Sequence, residues 1–230
     1  MMLNITMTRT VLYLSLFVLH LTSFFLSPHP TQAIGSAENV LLDFADFSRS
    51  VQNGEVDVLR GVYVPNVLAL PVVQQPADKP YNVSIRNGEA TQFFLATQYG
   101  NIGLLAHNTL SGKLFPQLAI GQQVRLIYGD GRVEDFVISQ ILRFQALQPE
   151  SVSSTFRNLD RNEILSAGEM FNRAYVGDRR VVFQTCIEAE GNLSWGRLFV
   201  VAVPTGWVEV GSIPSAELLK WKAKSPEPLL

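Results

Sequence analysis

The chain has 230 residues, of which 47% are hydrophobic and 17% charged, and its net charge at pH 7 is −2. A body this apolar excludes disorder for most of its length. The mild charge, with no basic run and no interleaving of aromatic and basic residues, argues against nucleic acid as a partner. Arg9, the apolar run 11–26 and the small residue Ala33 read as an export signal (1–33) cleaved after Ala33. The run falls only a little short of the ~20 residues of a spanning helix, so an uncleaved membrane anchor is the alternative. Either way the body is expected outside the cytoplasm, secreted, periplasmic or anchored facing outward. Its length suits one well-buried domain.

Residues 34–55 form the predicted N-terminal helical region, with Val40, Leu41, Phe44, Phe47 and Val51 along one face. From Val56 the pattern changes to short strands: 56–59, 61–64 and 67–73, with Pro65 and Pro71 confining them to edges, strand starts or bulges. Three further apolar segments, 81–86, 92–98 and 102–106, follow. The clearest hairpin joins 124–128 to 133–142 through Gly129-Asp130-Gly131, where Asp-Gly predicts a tight primed turn. Residues 149–177 read as a long connection with one or two short helices. Within it Ser166 and Glu169 have capping-box spacing, and Asp160 and Glu163 are taken as helix-start charges. A last hairpin pairs 181–186 with 197–203, and the tail 213–230 includes a short helix over 216–222. Many short strands at this spacing predict a mainly β domain over 56–212, a sandwich or a closed barrel.

Outside the leader the chain has one cysteine, Cys186, and one histidine, His107. An unpaired thiol in an exported protein has no internal disulfide partner, so a free and reactive cysteine is the leading reading. A nucleophilic thiolate needs a positively charged neighbourhood. Imidazole can carry or take a proton near neutrality. Arg197 keeps its proton and suits an oxyanion. The final hairpin would set Cys186 and Arg197 side by side, whereas only the fold can bring His107 to them. Taken singly, each has a plainer reading: a small buried hydrophobe, a hydrogen-bonded edge residue, a solvated strand end.

The surrounding segments resemble the sortases, exported cysteine transpeptidases built on an eight-stranded barrel. Residues 61–72 (GVYVPNVLALPV) look like the family's opening strand pair. Residues 100–108 (GNIGLLAHN) look like its histidine motif, and Phe115, Leu118 and 121–124 resemble that motif's sequel. Residues 182–186 (VFQTC) are similar to its Thr-Cys strand and 197–202 (RLFVVA) to its arginine strand. The resemblance covers about 58–203. It implies Cys186 as nucleophile, His107 as the acid that protonates the leaving amine, Arg197 as oxyanion and substrate anchor, and Thr185 along the substrate groove. It also implies a closed eight-stranded barrel with a few short helices, acting as a monomer. The partners would be a sorting-signal peptide of Leu-Pro-x-Thr-Gly type, held as a thioester, and an amine acceptor. Residues 144–177 match the loop that covers the substrate groove in that family. No acidic cluster suggests a calcium site, and no metal or cofactor is expected. The alternatives are an exported cysteine hydrolase or peptidase on the same fold, and a non-catalytic exported domain that binds peptide.

Overall fold

In the computed structural model, which describes residues 43–207 apart from 77 and 152, the chain closes a barrel. Helix α1 (Phe44–Val51) is followed by β1 (Leu59–Val64), β2 (Leu68–Gln74), β3 (Ala90–Phe93), the one-turn helix α2 (Phe94–Thr97) and β4 (Ile102–Leu105). A 3₁₀ segment (Ser111–Gln117) leads to β5 (Gln123–Tyr128), the long β6 (Val133–Ala146), the short β7 (Phe156–Asn158) and β8 (Ile164–Leu165), and α3 (Ala167–Tyr175). The last two strands are β9 (Val181–Ala189) and β10 (Asn192–Pro204). Hydrogen bonding runs β10-β9-β4-β3-β2-β1-β5-β6, and β6 pairs back onto β10. This ring of eight strands has no open edge, which removes the aggregation liability of an unpaired strand. The β7–β8 hairpin hangs from the far end of β6, through Phe144↔Asn158.

Strand alternation sorts the apolar side chains into two sets. Leu104, Phe115, Leu126, Phe136, Phe183 and Val200 belong to the buried set that fills the barrel. Leu142, Phe144, Val182 and Phe199 point outward and are covered by Phe156, Met170, Ala174 and Tyr175 from β7 and α3. Phe183 and Phe199 are 0% and 1% exposed. Burial of a side chain of this size is worth about 1.5–3 kcal/mol, so both faces of β9 and β10 are heavily packed. At the other end, Asp43 caps α1 by accepting from the Ala45 N–H at 2.9 Å. Phe47 and Val51 close down on Gly61, where a methyl group would come within 2.9 Å of Val51.

The expected barrel and final hairpin are both present, as are the helix over 44–51 and strands covering 61–64, 68–73, 102–105, 124–128 and 133–142, while several other segments differ in instructive ways. Residues 56–58 are a turn leading into β1. Segment 81–86 is not a strand: Tyr81 and Ile85 are 87% and 83% exposed and have no sheet neighbour. In 92–98 only the start is β; the chain turns helical at Phe94. Pro71 lies inside β2, opposite Gly61 and just before β3 begins to pair at Val72, so its missing N–H costs the sheet nothing there. The Gly129-Asp130-Gly131 turn has positive φ only at Gly131 (+91°), and the Tyr128 N–H donates to the Arg132 carbonyl at 2.9 Å. This is a three-residue loop ending in a left-handed glycine rather than a primed two-residue turn. The long connection contains the β7–β8 hairpin, which the sequence pattern did not suggest, followed by α3 with its capping box between Ser166 and Glu169. Asp160 and Glu163 are not at a helix start. They lie in the β7–β8 turn, paired with Arg143 and Arg173. The leader, residues 34–42 of the N-terminal helix and the tail beyond 207 lie outside the described residues.

Candidate active site

The last hairpin fixes the first pair. β9 and β10 are antiparallel, and Arg197 is the direct register partner of Cys186. Directly opposed residues share a face. Gln184↔Phe199 and Val182↔Val201 lie on the same outer face, whereas Thr185↔Leu198 and Phe183↔Val200 point into the barrel. On the other side of β9, β4 runs parallel, with Leu104↔Phe183 and Leu105↔Gln184 in register. The ladder extends one residue past the strand, because the Ala106 N–H donates to the Gln184 carbonyl at 3.2 Å. Ala106 is therefore level with Thr185, and His107 follows level with Cys186. The register of β6 adds Phe144 opposite Arg197. Phe144, Arg197 and Cys186 thus form one outer row across β6, β10 and β9, and His107 lies two residues past the end of β4, level with Cys186 along the chain. The row behind it reads Leu142, Phe199, Gln184, Leu105.

The second row is roofed. Tyr175 of α3 is 1% exposed, donates its hydroxyl to the Gln184 Oε1 at 2.6 Å, and packs edge-on against Phe93 and Phe199. Burial pushes that hydroxyl far above its ordinary pKa, so it acts only as a neutral donor. The first row is less covered: Cys186 and Arg197 are half-buried and His107 is exposed. The connection between β6 and β9 therefore walls the row rather than sealing it. Phe156 of β7 faces the Arg197 guanidinium with its ring centroid at 5.9 Å.

Backbone oxygens hold Arg197. Its Nη1 donates to the Ser194 carbonyl at 3.0 Å and the Gly196 carbonyl at 2.9 Å. Among the described residues no carboxylate pairs with it, so its charge is not neutralised by an ion pair of the protein's own. The loop that carries His107 is built on Gly112. The Leu110 and Gly112 N–H groups donate to the His107 carbonyl at 2.9 and 3.0 Å. A methyl group on Gly112 would fall 2.4 Å from the Thr185 hydroxyl and 2.6 Å from the Ala106 carbonyl. Asn108 ties the loop to the hairpin, donating from Nδ2 to the Leu193 carbonyl at 3.0 Å.

Of the four residues singled out in the sequence, Cys186 and Arg197 share one face, His107 follows the end of the adjacent β4, and Thr185 is turned away. Alternation turns Thr185, expected along the groove, toward the barrel interior, where it is 3% exposed and its hydroxyl has no hydrogen-bond partner. Asn108, Gly112 and Gly196 were not suspected. The signal for them was adjacency alone, each lying within a few residues of His107 or Arg197. Cys186 also borders a cavity of about 740 Å³ at the barrel mouth, lined by neither His107 nor Arg197. Among the described residues no group of three or more His, Cys, Asp or Glu side chains is placed to hold a metal ion, and no helix is long and apolar enough to cross a membrane.

No protein-family model and no curated protein matches the chain. Among solved structures it is similar to a sortase A of Listeria monocytogenes, at 14% identity and TM-score 0.42 over 64% of this chain and 86% of that one. It is also similar to sortase C-1 of Actinomyces oris (13%, TM-score 0.43, covering 71% and 82%). A third is the sortase D5 transpeptidase of Clostridium perfringens (13%, TM-score 0.39, covering 72% and 90%).

Proposed function

We propose that the protein is an exported, sortase-like cysteine transpeptidase. The observation that carries this reading is the meeting of three residues: the only thiol and an arginine with no ion pair among the described residues, opposite each other on β9 and β10, and the only imidazole outside the leader, just past the end of the neighbouring β4. In this reading the Cys186 thiolate attacks the carbonyl carbon of a peptide lying across the row. Arg197, fixed by two backbone carbonyls, stabilises the negative oxygen that develops. His107, reached by solvent, gives its proton to the departing amine, and the acyl half stays on sulfur as a thioester. The neutral imidazole then takes a proton from an incoming amine, the C–N bond forms, the C–S bond breaks and the thiolate returns. Thr185 supports this from behind the nucleophile, filling the space under the His107 loop against Gly112. The donor would be a sorting-signal peptide of Leu-Pro-x-Thr-Gly type.

The test is intact-mass detection of a peptide thioester with a Leu-Pro-x-Thr-Gly peptide, followed by its release with an amine. Cys186→Ala should abolish the adduct, and Arg197→Ala should slow its formation about 10²–10³-fold, the usual cost of one oxyanion donor. A Cys186→Ala protein with undiminished turnover refutes the reading. Release at a rate indifferent to added amine gives the hydrolase instead, and peptide affinity with no adduct gives a binding domain.

A further inference from the structure

Resting on the transpeptidase reading, we infer that Ser111 is a positioning residue for the acid His107, acting through a clip to the loop that joins β2 and β3. The Ser111 hydroxyl accepts from the Gly88 N–H at 2.8 Å, across 23 residues of sequence. Ser111 is 2% exposed, so the bond lies at the root of the His107 loop. Both residues flanking Ser111 hold the histidine, since the Leu110 and Gly112 N–H groups donate to its carbonyl. The 3₁₀ segment that Ser111 opens is anchored further on by Phe115, whose ring packs edge-on against Phe183 with centroids 5.3 Å apart. The loop is thus gripped from two sides, by Asn108 from the β9–β10 hairpin and by Ser111 from the β2–β3 loop.

A clip positions something only if its other half is fixed, and here polar groups fix it. Gln75 is 6% exposed; its Oε1 accepts from the Phe94 N–H at 3.0 Å, and its Nε2 donates to the Asn82 carbonyl at 2.7 Å. Thr91, fully buried, accepts from the Ser84 N–H at 2.8 Å. The Ser84 hydroxyl donates to the Glu89 carboxylate at 2.7 Å, one residue from Gly88. These bonds tie the β2–β3 loop to β3, although it displays Tyr81 and Ile85 to solvent. His107 is exposed, so the backbone that carries it sets its place more than packing does. A general acid must sit within hydrogen-bond reach of its target, and a misplacement of about 1 Å costs up to about 100-fold in rate. Gly88 is exposed as well. Its N–H turns to water when the hydroxyl is removed, so the fold loses little while the His107 loop loses one of two holds.

The acid is needed at one step of thioester formation. The C–N bond of the tetrahedral adduct breaks, the nitrogen takes the His107 proton, and the acyl carbon stays bonded to sulfur. A p-nitrophenyl ester of the Leu-Pro-x-Thr acyl group breaks a C–O bond instead, and the phenolate leaves without a proton. The experiment compares this ester with the Leu-Pro-x-Thr-Gly peptide in Ser111→Ala, following the thioester by intact mass. With the peptide, the rate at saturating donor should fall about 10- to 100-fold at an unchanged KM, and with the ester it should stay within about twofold. In the full chain labelled with ¹³C-histidine, the His107 ring signal, assigned by its loss in His107→Gln, should shift and broaden in Ser111→Ala. Equal slowing with both donors overturns the inference, as does an unchanged peptide rate, an unaltered His107 signal or a Ser111→Ala protein that does not fold. If neither donor gives a thioester in the unaltered protein, the transpeptidase reading fails. The His107 signal then decides the clip by itself: a shift in Ser111→Ala upholds it, and an unaltered signal removes it.

Discussion

Gly196→Ala tests barrel closure and the placement of Arg197 together. Gly196 is flanked on both sides, by Ile187 on β9 and Gln145 on β6. A methyl group there would lie 2.5 Å from the Phe144 carbonyl oxygen and 3.3 Å from the Ile187 Cβ. Carbon does not approach a backbone oxygen that closely, so the β10–β6 seam must open by about half an ångström. Overpacking of this kind costs about 1–3 kcal/mol. Each kcal/mol lowers Tm by about 2–4 °C in a chain of this size, so the expected fall is about 2–12 °C. Because the Arg197 Nη1 is bonded to the Gly196 carbonyl at 2.9 Å, the same displacement moves the guanidinium. Thioester formation should therefore slow by more than the loss of folded protein explains. Gly168→Ala in α3 is the matched control, since nothing lies within 4 Å of the added methyl. It should stabilise by about 0.5–1 kcal/mol. Thermal unfolding followed by circular dichroism reads both variants. A Gly196→Ala protein that melts with the wild type would refute the packing argument.

Acid should destabilise the fold. Hydrogen bonding to Arg173 holds Glu163 below its ordinary carboxylate range, and the Ser166 N–H does the same for Glu169. At Glu134 burial pushes upward but is outweighed by the hydrogen bonds and charges of Arg179 and Arg132. Folded values lowered in this way contribute stability that is complete above the ordinary carboxylate pKa of about 4.5 and is lost as pH falls through the lowered values. Tm should hold from pH 7 to about 5 and drop below that, less steeply in Glu163→Gln; a Tm that rises on acidification contradicts the sign. Ser166→Ala removes the acceptor for the Glu169 N–H and should cost about 1 kcal/mol, or about 2–4 °C in a melting experiment. Asn108→Ala should leave Tm nearly unchanged while slowing amine transfer about tenfold, since the bond it removes is exposed but sets the His107 loop. Asn108→Asp, with no amide donor, should behave like alanine, and a wild-type transfer rate in either variant would count against the tether.

The parts legible in the sequence were those written in local pattern. Alternation and turn residues announced β5–β6 and β9–β10, and the spacing of Ser166 and Glu169 announced the start of α3. The Cys186–Arg197 pairing followed from the hairpin alone. His107 was another matter: the approach of its loop to β9 depends on a parallel pairing of β4 with β9 that no local feature encodes, and only the motif resemblance pointed there. The 81–86 segment misled because Tyr81, Val83 and Ile85 alternate like a strand, yet no sheet edge is free to receive them. Thr185 misled in the opposite sense. Being next to Cys186 in sequence puts it on the other face of the strand. The β7–β8 hairpin escaped notice because β7 is three residues long and β8 two, too short for any period to register.

β9 lies between a neighbour met immediately, β10, and one contributed by a much earlier stretch of chain, β4. Loop closure makes distant pairings slow to form, so thiol and guanidinium meet in a local hairpin while the imidazole arrives only when the ring shuts. A chain whose ring is still open would hold Cys186 and Arg197 side by side with His107 apart from both, and the three would come together solely in the finished barrel.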